Sequence, residues 1–219
     1  MKRVNILLGG PKSEYPDELS KSIKAIPGPW VGADRGGVYL IAHGILPDIA
    51  IGDFDSINKK EQKLLRDNVT DFQKYPPEKD DTDSELCILA AKEKFNASEY
   101  YIYGVTGGRI DHFLVNLFLP YDKRFLSFYD KLYFKSATNT IRFFRPGRYT
   151  VYHEEGMKYI GFVNLGPVTH LNIVDAKYKL DDFTAMHPVS WASNEFVKDT
   201  IDFGFESGIV AVIQSRDKK

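Results

Sequence analysis

From residue 1 to about residue 125 the chain alternates short apolar runs with longer segments of helical period, and this rhythm restricts its fold more than any other feature. The runs "VNILL" (4–8), "WVGA" (30–33), "IAI" (49–51), "VTDFQKY" (69–75) and "YYIYGV" (100–105) read as strands. The intervening segments place apolar residues three and four apart, as an amphipathic helix does. Such alternation builds βα units around a parallel sheet. Two stripes, Leu86, Leu89, Ala90 and Phe95 on a helix over 83–95, and Ile110, Phe113, Leu114, Leu117 and Phe118 on a later one, are expected to face the core. Beyond about residue 125 the helical period fades. Aromatic and β-branched runs from "KLYFKSA" to "GIVAVIQ" follow, punctuated by Pro146-Gly147, Glu155-Gly156 and Gly166-Pro167. The expected fold is therefore an N-terminal parallel-sheet α/β domain, residues 1–125, followed by a C-terminal antiparallel β-sandwich, residues 126–219.

Composition narrows the class of function. A length of 219 residues suits one large domain or two small ones, each with a core of its own. With 29 Lys and Arg against 30 Asp and Glu, nothing in the overall charge draws the chain to nucleic acid or to an anionic membrane. Cys87 is the only cysteine, so an intramolecular disulfide is excluded and a reducing compartment fits. No apolar segment approaches the roughly 20 residues of a membrane helix, and the expectation is a soluble cytoplasmic protein.

In an open parallel sheet, ligands bind beyond the carboxyl ends of the strands, where the strand-to-helix loops open. Asp34 follows "WVGA", Asp53 and Asp55 follow "IAIG", Asp80 and Asp83 lie after "VTDFQKYPPE", and Arg109 with Asp111 follows "YYIYGVTGG". All four groups fall on that one edge. Converging carboxylates repel unless a cation sits among them, and a hard divalent ion with oxygen ligands is the usual partner. Thr82 and Glu85 have capping-box spacing, which starts a helix with Asp83 in its first turn; there the acid equally complements the helix dipole. Gly107, Gly108 and Arg109 suit a phosphate at a helix N-terminus, although an ordinary strand-turn-helix connection also uses two glycines. Lys79 reads either as a phosphate contact or as a solvated lysine, and no Walker-type signature occurs.

Together, "GADRGG" (32–37), "PDIAIGDFDSI" (47–57), "KDDTDSEL" (79–86), "GVTGGRIDH" (104–112) and "SNEF" (193–196) resemble the thiamine pyrophosphokinase family along nearly the whole chain. The resemblance implies an α/β domain that binds ATP and Mg2+, a β-sandwich that helps bind thiamine, and a homodimer with active sites between subunits. It also implies transfer of a diphosphoryl group to the thiamine hydroxyl, leaving AMP. By that resemblance Asp53, Asp55 and Asp83 handle metal and phosphate, with Asp80 and Thr82 in the same motif. Asp34 is the acid of the early glycine-rich turn, and Arg109 with Asp111 contacts nucleotide. Ser193 and Asn194 match the thiamine-binding loop. Trp191 offers a flat cation an aromatic wall, and reads equally as a packed or surface tryptophan. Another Mg2+-dependent phosphotransferase or nucleotide hydrolase, or a non-catalytic binding module, is the alternative.

Overall fold

The structure is a computed structural model that describes residues 1–218. The chain forms two compact units, one of residues Met1–Leu117 with Tyr133–Ala137, the other of Phe118–Leu132 with the chain from Thr138.

In the first unit, strands β1 (Arg3–Leu7), β2 (Trp30–Ala33), β3 (Ile49–Gly52), β4 (Asp71–Lys74) and β5 (Glu99–Tyr103) form a sheet in the order β5-β1-β2-β3-β4. All four pairings are parallel, with Ile6 opposite Val31, Val31 opposite Ile49 and Val4 opposite Tyr100. Helices α1 (Asp17–Lys21), α2 (Arg35–Ala42), α3 (Lys59–Asn68), α4 (Asp83–Phe95) and α5 (Ile110–Phe118) lie between or after these strands. Residues of β1, β2 and β3 are almost wholly buried, which is why their runs are continuously apolar and do not alternate. The chain proceeds from β1 outward through β2, β3 and β4, then returns to place β5 on the other side of β1. The strand order thus switches between β1 and β5, where a crevice opens in sheets of this kind.

Two helix faces differ from expectation. On α4 the buried residues are Ser84, Cys87, Ile88 and Ala91, while Leu86, Leu89, Ala90 and Phe95 are half-buried. Apolar residues ring this helix, so hydrophobic period alone did not single out the innermost face. On α5 the correction is larger. Ile110, Leu114 and Phe118 of the expected stripe are 75%, 41% and 46% exposed, Phe113 and Leu117 are half-buried, and Asn116 is the buried residue at 4%. Three of the five stripe residues, expected in the core, thus turn outward.

In the second unit, β7 (Asn139–Phe144), β9 (Tyr159–Asn164), β12 (Val189–Asn194) and β14 (Val210–Ser215) run in the order β12-β9-β14-β7. Strands β8 (Gly147–Tyr152), β10 (Val168–Ile173), β11 (Leu180–Ala185) and β13 (Thr200–Phe205) run in the order β11-β10-β13-β8. The short β6 (Leu132–Lys135), all but its first residue part of the first unit, precedes them in the chain. The pairings among β7–β14 are antiparallel. The two sets of strands share one core, in which Phe203 packs on Phe162 and Phe144 with ring centres 5.2 and 5.0 Å apart. No helix among the described residues is long and apolar enough to cross a membrane.

Candidate active site

"IGDFDS" places an aromatic between two acids, and the fold shows what each residue does. Phe54, 2% exposed, stacks on Phe72 with centroids 4.6 Å apart and anchors the loop after β3. Its N–H donates to Asp34 Oδ1 at 3.0 Å, which ties the β3 loop to the β2 loop. Asp53 and Asp55 leave the anchor on either side, and the Asp55 N–H donates to Asp53 Oδ1 at 3.0 Å. Gly52 is required here: with φ of 155° and a notional Cβ only 1.9 Å from Asp34 Oδ1, a side chain would displace that carboxylate. Asp34 itself has φ of 43°, an uncommon conformation that this tight packing sustains.

The fourth loop delivers Asp83. Thr82 caps α4: its N–H donates to Glu85 Oε2 at 2.8 Å, and the Glu85 N–H returns to Thr82 Oγ1, so the expected capping box forms. One ligand oxygen each from Asp34, Asp53 and Asp83 then lie within 4.8 Å of one another. Lys79 enters the cluster with its Nζ 2.8 Å from Asp83 Oδ1 and 3.7 Å from Asp53 Oδ2. Asp83 Oδ1 is nevertheless buried without a well-directed hydrogen-bond donor. Burial, then the Asp83 carboxylate and, less strongly, Asp53 push the Asp34 carboxyl up to about 7, against the opposing Phe54 N–H. Asp53 raises Asp55 above the ordinary carboxyl value. Burial disfavours the Lys79 ammonium, but the adjoining carboxylates, Asp83 foremost, outweigh it and hold the charge.

This cluster borders a crevice of about 880 Å3 at the β1–β5 switch. Of the residues singled out by sequence, Asp34, Lys79, Thr82, Asp83, Gly108 and Arg109 line it. Asp53 joins through the acid cluster, whereas Asp55 is exposed beside it and Asp80 is exposed outside the lining. Gly107 has φ of 79° and packs closely on Glu14. Exposed Asp111 pairs with Arg109 through two hydrogen bonds, from Nε and from Nη2. Trp191, Ser193 and Asn194 belong to the other unit, on β12. Trp191 packs edge-on against Phe183. Ser193 is exposed at a bulge with φ of 58°. Asn194, 2% exposed, spends its side chain on the backbone: Oδ1 accepts from the N–H groups of Tyr178 and Glu195, and Nδ2 donates to the Tyr178 carbonyl.

Sequence reasoning passed over Asp81, Lys12 and Arg35, which also line the crevice. Lys12 had a signal in "LLGGPK", a glycine pair and a cation just past the first strand. Arg35 opens α2 and donates from Nε to the Ser56 carbonyl at 2.9 Å. Lys79 and Arg109 face carboxylates, whereas Lys12 and Arg35 make no ion pair with an acid among the described residues, so their charge stays available to an anion.

Residues 28–128 match the profile described as thiamin pyrophosphokinase, catalytic domain, and residues 148–210 match thiamin pyrophosphokinase, vitamin B1 binding domain. Thiamine pyrophosphokinase of Bacillus subtilis is 35% identical over 219 residues, 99% of this chain and all of that one. A crystal structure of a thiamin pyrophosphokinase family protein from Enterococcus faecalis superposes with a TM-score of 0.93 at 36% identity, covering 99% of this chain and 100% of that chain. A protein from Lactobacillus plantarum gives 0.88 at 42% identity over the full length of both chains. Matched along both units by sequence and by fold, the chain belongs to the thiamin pyrophosphokinase family.

Proposed function

We propose that the crevice at the β1–β5 switch carries the reaction of this thiamine diphosphokinase: transfer of the diphosphoryl group of ATP to the hydroxyl of thiamine, with release of AMP. The observation that supports this placement best is the convergence of Asp34, Asp53 and Asp83 within 4.8 Å at the mouth of that crevice. Three carboxylates, one with a buried oxygen lacking a directed donor, form a hard, oxygen-only set that suits Mg2+. Asp53 and Asp83, with Asp55 alongside and Asp34 behind, would hold it. Bound there, Mg2+ supplies charge neutralisation to the phosphate oxygens.

The chain's own groups do the rest. Lys79 meets phosphate oxygens beside the acids, fixing the diphosphoryl group against the incoming hydroxyl, while Arg109 and the N–H groups around Gly107 and Gly108 hold the nucleotide at the β5 end. Asp111 orients Arg109. Thr82 sets the start of α4 and so the aim of Asp83, with Asp80 at the solvent side of the same loop. In this reading residues 1–125 serve ATP and Mg2+ and residues 126–219 serve thiamine. Ser193, strained and exposed, and Trp191 are the proposed thiamine contacts. Asn194 acts by gripping the turn at Tyr178, a residue 60% exposed that gives a flat cation an aromatic face. The outward apolar stripe of α5 fits a homodimer with active sites between subunits, since a stripe of this size in water is normally covered. A single buried cysteine agrees with a cytoplasmic setting.

Incubation with thiamine, Mg2+ and ATP labelled at the γ-phosphate tests the reaction. Label should appear in thiamine diphosphate with one unlabelled AMP formed per molecule. Formation of labelled thiamine monophosphate and ADP would overturn diphosphoryl transfer.

A further inference from the structure

Asn116 is out of place by ordinary packing rules. It lies on α5 among Val115, Leu117 and Phe118, is 4% exposed, and lines the crevice, yet its Oδ1 accepts no hydrogen bond among the described residues. Thr106, in the loop after β5, lines the same crevice and its buried Oγ1 is likewise without a partner. A buried polar atom left unpaired lowers stability, and a leucine or valine at either place would remove that cost. Two such atoms on one wall call for a polar group that arrives with a ligand.

Their position says which part of the ligand. The acids sit past β2, β3 and β4, whereas Thr106 and Asn116 sit past β5 on the far side of β1. From β5 to β3 is three strand intervals of about 4.8 Å, roughly 14 Å along the sheet edge. That span matches an extended nucleoside triphosphate lying across the strand ends. With its terminal phosphates at the acids and its middle near Lys12 and Arg35, the base reaches the β5 end. Resting on the assignment of this crevice to ATP, we infer that Asn116, assisted by Thr106, reads the base and selects adenine by accepting a hydrogen bond from its 6-amino group. An asparagine amide offers a donor beside an acceptor, the complement of the adenine edge.

The test compares equilibrium binding of ATP and of purine riboside 5′-triphosphate, which lacks only the 6-amino group, in the presence of Mg2+. Wild type is expected to bind ATP about tenfold more tightly, the scale of one buried hydrogen bond. Asn116→Leu should bring the two affinities together without lowering the melting temperature, because no internal hydrogen bond is lost. Asn116→Ala, which cannot overpack, should show the same loss of preference, and Thr106→Val a smaller one. Equal binding of the two nucleotides by wild type, or an unchanged preference in both Asn116 variants, would overturn the inference while leaving the crevice as the ATP site. Because binding is read without turnover, failure of the reaction proposed above would be seen separately, as ATP bound with preference but no thiamine diphosphate formed. Absence of saturable ATP binding by wild type would remove the site, and this inference with it.

Discussion

Asp53→Asn and Asp83→Asn are each expected to lower the rate of thiamine diphosphate formation by at least about 100-fold, the scale of losing one strong transition-state electrostatic contact. Both substitutions keep the side chain's size and remove one negative charge from a cluster whose ligand oxygens lie within 4.8 Å of one another. In the metal-free protein that removal relieves repulsion, so the melting temperature should hold or rise. Asp83→Asn has a second consequence, because Lys79 Nζ loses the carboxylate 2.8 Å away and keeps only Asp53 at 3.7 Å. Its ammonium should then be less firmly held, and apparent ATP affinity should change as well as turnover. Rates measured at saturating ATP and thiamine separate the two effects. Wild-type turnover in both variants would take these acids out of the mechanism.

Metal-free protein should lose stability as pH rises, and Asp34 is the reason. The residue is 9% exposed, and its carboxyl is pushed from the ordinary 3.8 to about 7, chiefly by burial and by Asp83. The folded state therefore holds this proton more tightly than the unfolded chain does. The associated stability is fully present below about pH 4 and is lost progressively as pH climbs through about 7. The rise from 3.8 to about 7, at about 1.36 kcal/mol for each pH unit, sets a ceiling of roughly 4 kcal/mol. Asp34→Asn carries no such proton and retains an Oδ1 to accept from the Phe54 N–H. Chemical denaturation in chelator at pH 5 and pH 8 should show wild type weakening relative to Asp34→Asn at the higher pH. Parallel stability curves for the two proteins would mean that Asp34 is already ionised in the fold at pH 5.

Local signals were the legible ones. The strands "WVGA" and "IAI" and the Thr82–Glu85 capping box are decided by residues close in sequence, and they form as expected. The shared position of the acids was legible too, because a parallel sheet sends each strand-to-helix loop to one edge. What covers a surface was not. The α5 stripe has a perfect helical period, but period reports that a face is apolar and not whether this chain buries it. Strands β11, "LDDFTA", and β12, "VSWASN", escaped because they lie half in solvent and alternate with polar residues. With β12 unrecognised, Asn194 read as a loop residue, whereas a bulge after Trp191 turns it inward onto the backbone at Tyr178. Within "KDDTD", an irregular loop offers no period from which to learn that Asp81 lines the crevice and Asp80 faces solvent. Asn116 lies off the apolar stripe of its helix, and only the fold shows that it is buried against the crevice.

The account depends on Asp53 and Asp83 gathering a divalent cation against the phosphates of ATP. Crystals grown with Mn2+ and a non-hydrolysable ATP analogue, measured at the manganese absorption edge, locate that ion directly. The predicted result is an anomalous peak bonded to carboxylate oxygens of Asp53 and Asp83 and to phosphate oxygens of the analogue. A fully occupied analogue whose manganese lies away from these acids, held by phosphates or by other residues alone, would contradict it.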